Sequence, residues 1–142
     1  MKKTFSLLTL AAALAASVSI VGCSGSSSSS DDVIKIGVFE PLTGANGAGG
    51  ADEYDGIKLA NKLFPEVLGK KVELVVVDNK SDKVEAANAA MVLAQKEKVN
   101  AVLGSWGSSL SMAGGPIFAE AKIPAVAVSA TNPNVTKGNE YY

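Results

Sequence analysis

Short apolar runs alternate along this chain with longer segments in which apolar residues recur every three or four positions. The pattern predicts strands at 34–39, 72–77, 101–103 and 125–128, and helices at 52–64, 83–97 and 111–121. The second run is almost continuously β-branched, which is typical of a strand covered on both faces. Strands and helices that alternate with short connections form parallel sheets with right-handed crossovers. The sequence therefore predicts an α/β fold with a doubly wound parallel sheet.

The same spacing indicates which face each helix should bury. In the first helix, Ile57, Ala60 and Phe64 lie on one face. Either Ser81 or Asp82 can cap the second helix, because both carry a short side-chain oxygen. The apolar positions at helical spacing in that second helix are Val84, Ala87, Met91 and Ala94.

The first 32 residues differ in composition from the rest. Lys2 and Lys3 precede an apolar stretch at 5–21, which ends in Ile20-Val21-Gly22-Cys23. The arrangement is typical of a secretory signal peptide. Its end resembles the lipobox of bacterial lipoproteins, in which the cysteine thiol is acylated and the preceding bond is cut. An uncleaved transmembrane anchor is the alternative, but the stretch is shorter than the roughly 20 residues that a bilayer requires.

A serine-rich stretch follows the cysteine, and a segment of this composition behaves as a flexible coil. We therefore expect a signal peptide at 1–22, a lipidated Cys23 with its tether at 23–32, and a folded domain at 33–142. A multiply acylated cysteine gives stable anchoring to a membrane. The expected location is the extracytoplasmic face of the cell membrane, or the periplasm.

Composition removes several classes of function. The formal net charge is −1 and becomes more acidic when the two leader lysines are lost, so no nucleic-acid partner is expected. Cys23 is the only cysteine, which leaves the folded domain without a disulfide. The chain has no histidine and no arginine, and so lacks the commonest metal ligand and the bidentate carboxylate clamp. We expect a ligand held by amides, hydroxyls, lysines or acids, with no metal, no cofactor and no enzymatic activity.

Parallel α/β sheets bind their ligands at the carboxyl ends of the strands. The segment Gly104-Ser105-Trp106-Gly107-Ser108-Ser109 joins a strand to a helix there, and helix amides favour an anion such as a carboxylate. Ser108 is the predicted hydroxyl donor, with the amides of Ser108 and Ser109 beside it. The alternative is that either serine only caps the helix. Trp106 would stack on or wall off the ligand, whereas a position in the core is commoner for tryptophan.

The loop after the fourth strand carries a second set of polar groups. Thr131 offers a hydroxyl, and Ser129 offers its carbonyl and its side chain. If the third and fourth strands are neighbours, the two loops could share one small zwitterion. The alternative for this segment is that Asn132-Pro133 only starts a turn.

Four segments of the chain occur in a distinctive order: VIKIGVFEPLTG, KVELVVVDNKSD, AVLGSWGSS and IPAVAVSATNP. In order and spacing they resemble the amino-terminal lobe of the branched-chain amino acid binding proteins of ABC importers, which are type I periplasmic binding proteins. The resemblance extends from Ile34 to Thr136. It implies a two-lobed receptor that closes on a small amino acid and delivers it to a membrane permease, and it implies that the second lobe is missing from this chain.

The resemblance also implies roles for individual residues. By motif position, Ser108 would bind the ligand carboxylate, the carbonyl of Ser129 would take the ammonium with Thr131 beside it, and Trp106 would line the side-chain pocket. The sequence departs from the family at 47–50, where glycines and an alanine replace the aromatic residue of many relatives. That departure leaves the side-chain class of the ligand open, since relatives also bind amides, urea and aromatic acids.

Three other interpretations fit parts of the sequence. A dinucleotide-dependent enzyme would use the first glycine-rich loop, but Asp52 replaces the third glycine of that motif and would repel a pyrophosphate. Asp78 and Asp82 lack the remaining ligands of a calcium loop, and a capped turn is favoured there. A surface lipoprotein that senses a ligand for a receptor would reuse the same lobe, and it stays an alternative to an importer subunit.

Overall fold

The computed structural model describes residues 33–142, so the predicted signal peptide and the lipidated Cys23 lie outside the described residues. Its strands are β1 (Val33–Glu40), β2 (Glu66–Val67), β3 (Lys70–Asp78), β4 (Ala101–Leu103) and β5 (Ala125–Val126). Its α-helices are α1 (Gly47–Leu63), α2 (Lys83–Met91) and α3 (Ser108–Glu120). A π-helical turn, Val92–Lys96, continues α2, and Pro133–Val135 is a 3-10 turn. Within this part of the chain, no helix is long and apolar enough to cross a membrane.

The strands form one sheet in the order β2-β3-β1-β4-β5. β1 pairs in parallel with both β3 and β4, and β4 pairs in parallel with β5. The predicted α/β class and parallel sheet are confirmed, and so is the adjacency of β4 and β5 that a shared site requires. The carboxyl ends of these four parallel strands therefore lie at one edge of the sheet.

One strand was not predicted. β2 is only two residues long and pairs antiparallel with the start of β3, with Val67 opposite Lys70. Leu68 and Gly69 join the two strands, and both have positive φ, at 54° and 74°. This is the backbone of a tight hairpin turn. A two-residue strand has no periodicity that a sequence pattern could reveal.

The two faces of the sheet differ in how closely they are packed. On one face, α2 and α3 cover a core in which the rings of Phe39 and Phe118 meet edge to face, with centroids 5.4 Å apart. On the other face, α1 buries Ile57 and leaves an apolar groove between itself and the strands. Helices therefore lie on both faces, which is the doubly wound arrangement.

The buried face of α2 and the turn that continues it matches the prediction only in part: Ala87 and Ala94 are half-buried, and Ala94 packs against the core. Val84 and Met91 are exposed, and the helix buries Ala86, Ala89 and Ala90 instead. Small residues allow α2 to approach α3 closely, so the interface is made of alanines rather than of the larger apolar side chains. Hydrophobic spacing alone does not identify such a face, because alanine contributes little to the pattern.

Two helices begin earlier than predicted. α1 begins at Gly47, inside the segment that was predicted to be a glycine-rich loop, and α3 begins at Ser108 rather than at Ser111. At the start of α2, Asp82 is the cap. Its carboxylate accepts hydrogen bonds from the amides of Val84 (2.8 Å) and Glu85 (3.0 Å). Of the two capping residues left open by the sequence, the structure therefore selects Asp82.

Candidate functional site

The loop after β1 is held at the edge of the sheet by Asp78, the last residue of β3. Its Oδ1 accepts hydrogen bonds from the amides of Leu42 and Lys80, both at 2.8 Å, and its Oδ2 accepts one from the Thr43 hydroxyl at 2.6 Å. Burial opposes ionisation of the carboxyl, but these hydrogen bonds outweigh it and lower the pKa of Asp78 below its usual range. Asp78 and Asp82, which caps α2, therefore belong to a hydrogen-bonded turn. The sequence had favoured this interpretation over a calcium loop.

Buried polar side chains hold the loop between β4 and α3. Asn79 Nδ2 donates to Ser105 Oγ at 2.9 Å, and Ser111 Oγ accepts from the Ser105 amide at 3.1 Å. All three side chains are fully buried. A buried hydrogen-bonded network of this kind holds the backbone in one conformation. The residues that follow Ser105 are therefore presented from a rigid support.

A cleft of about 370 Å³ opens where this loop meets the loop after β5. Its lining residues are Trp106, Gly107, Ser108, Ser129, Ala130 and Thr131. Four of the five residues that were predicted to bind a ligand therefore lie around one cavity. The fifth, Ser109, is exposed on the first turn of α3 and does not line the cleft with its side chain.

Ser108 joins the two loops directly. Its Oγ accepts a hydrogen bond from the Asn132 amide at 3.2 Å. The N-cap of α3 is Gly107, with no hydrogen bond from a side chain, so the alternative in which Ser108 or Ser109 caps the helix is wrong. As the first two residues of the helix, both leave their amides without a partner inside it. These amides and the Ser108 hydroxyl form a small set of donors beside the cleft.

The second loop contains a turn and also borders the cleft. Asn132 begins the 3-10 turn, because its Oδ1 accepts a hydrogen bond from the Asn134 amide at 2.9 Å. The turn interpretation of Asn132-Pro133 is therefore confirmed. The preceding residues Ser129 and Thr131 are exposed and lie on the wall of the cleft, where their polar groups are available.

Trp106 is not part of the core. Its side chain is 39% exposed, and it lies between the cleft and the first turn of α1. The indole lies against Gly49: a Cβ built on that glycine would be 2.4 Å from Trp106 Cε2. The glycine-rich segment that lacks an aromatic residue is thus the surface against which the aromatic ring of another loop packs.

Glu40 lies beneath the cleft and was not singled out by the sequence. It is fully buried at the end of β1, and its Oε2 accepts a hydrogen bond from the Trp106 amide at 2.7 Å. The pKa of Glu40 is raised to about 8: burial is the largest cause, the Trp106 amide opposes it, and the neighbouring carboxyl of Glu53 in α1 adds to it. At neutral pH Glu40 is therefore mostly protonated.

Two functional candidates were thus missed, Glu40 and Gly49. An acidic residue at the carboxyl end of a buried strand, directly before Pro41, was the available signal for Glu40, since charged residues are rarely buried without a reason. No sequence signal could identify Gly49, because its importance comes from the ring of Trp106, which is distant in the sequence.

Residues 33–142 match the family described as periplasmic binding protein. A protein of Pseudomonas aeruginosa named "Amino acid binding protein" is 33% identical over 109 residues, which make up 75% of this chain and 29% of that protein. The Leu/Ile/Val-binding protein homolog 1 of Brucella abortus is 30% identical over 141 residues, or 96% of this chain and 35% of that protein. The chain thus spans about a third of the length of these relatives.

Several solved structures of binding proteins resemble this chain in both sequence and fold. The leucine binding protein LivK of Thermotoga maritima is 45% identical with a TM-score of 0.74, covering 76% of this chain and 31% of that one. The substrate binding protein LivJ of Streptococcus pneumoniae, in complex with isoleucine, is 35% identical with a TM-score of 0.73, covering 77% and 32%. A solute binding protein of Rhodopseudomonas palustris, in complex with 3,4-dihydroxybenzoic acid, is 28% identical with a TM-score of 0.74, covering 78% and 31%.

Proposed function

Because this chain belongs to the periplasmic binding protein family, we propose that it forms part of an extracytoplasmic lipoprotein that captures a small amino acid, branched-chain or related, and delivers it to an ABC importer. The observation that carries the proposal is the meeting of two loops at one cleft, where Ser108 Oγ accepts a hydrogen bond from the Asn132 amide. Hydroxyls, free helix amides and an indole surround that cleft, and a small zwitterion needs this combination of partners.

Each part of the ligand has a partner in this proposal. The carboxylate lies at the start of α3, where the Ser108 hydroxyl and the amides of Ser108 and Ser109 donate to it and the helix dipole favours its charge. A serine hydroxyl has one proton to donate and two lone pairs, so Ser108 keeps its bond from the Asn132 amide while it donates to the ligand. The ammonium lies against the carbonyl of Ser129 and the hydroxyl of Thr131, and the side chain lies against Trp106.

The arrangement along the chain is part of the proposal. Residues 1–22 act as a signal peptide, the acyl chains on Cys23 anchor the protein, and the serine-rich tether up to residue 32 holds the domain away from the membrane. Residues 33–142 then supply the amino-terminal side of the binding site. Its partners are the amino acid and a permease in the same membrane.

Thermal melting of the longest product that the gene encodes, without its lipid anchor, against a panel of ligands tests this function. We expect a higher melting temperature with leucine, isoleucine or valine, because a ligand at about 100 times its dissociation constant adds about 2.7 kcal/mol of stability. Aromatic acids, amides, sugars and NAD complete the panel. A shift with aromatic acids alone would reassign the ligand class. A shift with NAD alone, or with no compound, would contradict the proposal.

Replacing Ser108 with alanine is expected to weaken amino acid binding by about 1 to 3 kcal/mol, because the ligand carboxylate loses a hydrogen-bond donor in a desolvated position. Titration calorimetry on the longest product that the gene encodes, without its lipid anchor, measures the change. Ser109→Ala is the matched control, since it keeps the backbone amide and removes only an exposed hydroxyl outside the cleft. Equal losses in the two variants would remove the Ser108 hydroxyl from the site.

A further inference from the structure

The ring of Trp106 occupies the space that a side chain at position 49 would need. A Cβ on Gly49 would stand 2.4 Å from Trp106 Cε2, 2.6 Å from Nε1 and 2.7 Å from Cδ2. A Cβ atom essentially never comes within 3.0 Å of such atoms in folded proteins, so either the ring or the helix would have to move. The contact is with the middle of a rigid indole, which cannot bend away as the end of a long aliphatic side chain can.

The backbone of Gly49 gives no other reason for a glycine. It lies inside α1 with a helical conformation, and it is not among the glycines with positive φ. Glycine in a helix costs about 1 kcal/mol relative to alanine. Gly56, in the same helix, shows the contrast, because a Cβ there would meet no atom within 4 Å. What distinguishes Gly49 from Gly56 is therefore the ring of Trp106.

The backbone of Trp106 is less free to move than its side chain. Glu40 accepts a hydrogen bond from the Trp106 amide at 2.7 Å. The preceding residue, Ser105, is held by hydrogen bonds to the buried side chains of Asn79 and Ser111. A displaced indole must therefore rotate about its side-chain torsions and leave the surface of α1. The other surface of the ring faces the cleft that Ser108 and Thr131 line.

We infer that Gly49 is the positioning residue of Trp106: the missing side chain lets the indole lie back against α1, and this sets the width of the cleft that receives the ligand. The inference rests on the proposed function for its effect on binding, and on geometry alone for the position of the ring. A side chain at position 49 displaces the ring and narrows the cleft. The narrower cleft weakens the binding of every ligand, and it weakens the binding of ligands with large side chains most.

The position of the ring is tested without any ligand, since Trp106 is the only tryptophan in the chain. In the full chain, Gly49→Ala should shift the emission maximum and raise the acrylamide quenching constant about twofold, because the indole loses van der Waals contact with α1. Gly56→Ala is the matched control and should leave both quantities unchanged. Identical emission and quenching in the wild type and in Gly49→Ala would overturn the inference.

A double variant separates displacement of the ring from damage to the helix. Melting temperatures are compared for Gly49→Ala, Trp106→Leu and the two changes combined. If the ring is what the alanine meets, the combined variant should melt at least as high as Trp106→Leu alone, and this rescue should appear even if Gly49→Ala alone does not fold. Losses that simply add would overturn the inference, because the alanine would then be harmful without the indole.

Amino acid binding by the longest product that the gene encodes, without its lipid anchor, supplies the last test. Gly49→Ala should weaken leucine binding about tenfold or more and alanine binding much less, since the displaced ring occupies the side-chain end of the cleft. Equal losses for leucine and alanine, with the ring displaced, would overturn the effect on specificity. If the wild type binds neither amino acid, the proposed function fails, whereas the fluorescence and the double variant still decide the position of the ring.

Discussion

Gly104→Ala is expected to lower the free energy of unfolding by about 4 kcal/mol or more, because its Cβ would meet fixed atoms and its backbone conformation would be strained. The Cβ would stand 2.2 Å from the carbonyl oxygen of Phe39 and 2.4 Å from Glu40 Oε1. The first is backbone of β1, the central strand of the sheet, and the second belongs to a fully buried side chain. Gly104 also has φ of +115°, which an alanine rarely adopts.

Gly69→Ala separates the conformational cost from the steric one. Gly69 also has a positive φ, of 74°, but a Cβ there would meet no atom within 4 Å. It should cost only about 1 to 2 kcal/mol, the penalty for a left-handed conformation. Urea unfolding followed by circular dichroism measures both variants. If the two losses were equal, the junction of β4 with the binding loop would be able to relax away from β1.

The four parallel strands were the predictable part of the fold, whereas their order in the sheet was not predicted. β4 was predicted with the bounds that the structure has, and β3 was recognised from its β-branched residues. Alternation of strands with helices then fixed a parallel sheet, because the handedness of the crossovers leaves few topologies. β2 was not predicted because it has only two residues and because its pairing with β3 depends on the conformation of the turn between them.

The helix faces were predicted less well, because packing partners decide them. On α2, alanines that carry little signal are buried, while Val84 and Met91 are exposed. On α1, Ile57 is buried as expected, but Phe64 on the same face is 72% exposed at the edge of the apolar groove. A periodic pattern records which residues could be buried, and the neighbouring elements determine which of them are.

For the candidate site, the sequence placed the loops correctly and left the contacts undetermined. The rule that ligands bind at the carboxyl ends of parallel strands led to Trp106, Ser108, Ser129 and Thr131, which line one cleft. Their roles toward a ligand stay predictions. Glu40 and Gly49 act through Trp106, and such an effect depends on distances between remote segments that no local pattern contains.

The stability of the protein is expected to fall as the pH rises from about 5 to 8, because Glu40 titrates at different pH values in the folded and unfolded states. Its pKa is raised from 4.5 to about 8, so between these values the folded protein keeps a proton that the unfolded chain has lost. The stabilisation is complete below the unfolded pKa and is lost as the pH passes the folded one. Each pKa unit corresponds to about 1.4 kcal/mol, which predicts a loss of a few kcal/mol.

Glu40→Gln should remove most of this slope. An uncharged amide still accepts the hydrogen bond from the Trp106 amide, and it has no proton to lose in this range. Glu73→Gln is the control, because Glu73 is an exposed acid on β3 and its removal should leave the slope intact. The chain has no histidine, the residue that ordinarily titrates in this window. Urea unfolding at several pH values measures the three curves.

A flat curve for the wild type would show that Glu40 is ionised in the folded protein, and it would also weaken the proposed site. A buried negative charge bonded to the Trp106 amide would lie beneath the cleft that is proposed to receive a carboxylate. Repulsion between like charges is strong at low dielectric. A protonated Glu40 supports the binding loop without that repulsion. Ionisation of Glu40 as the pH rises should therefore lower the affinity for an anionic group as well as the stability.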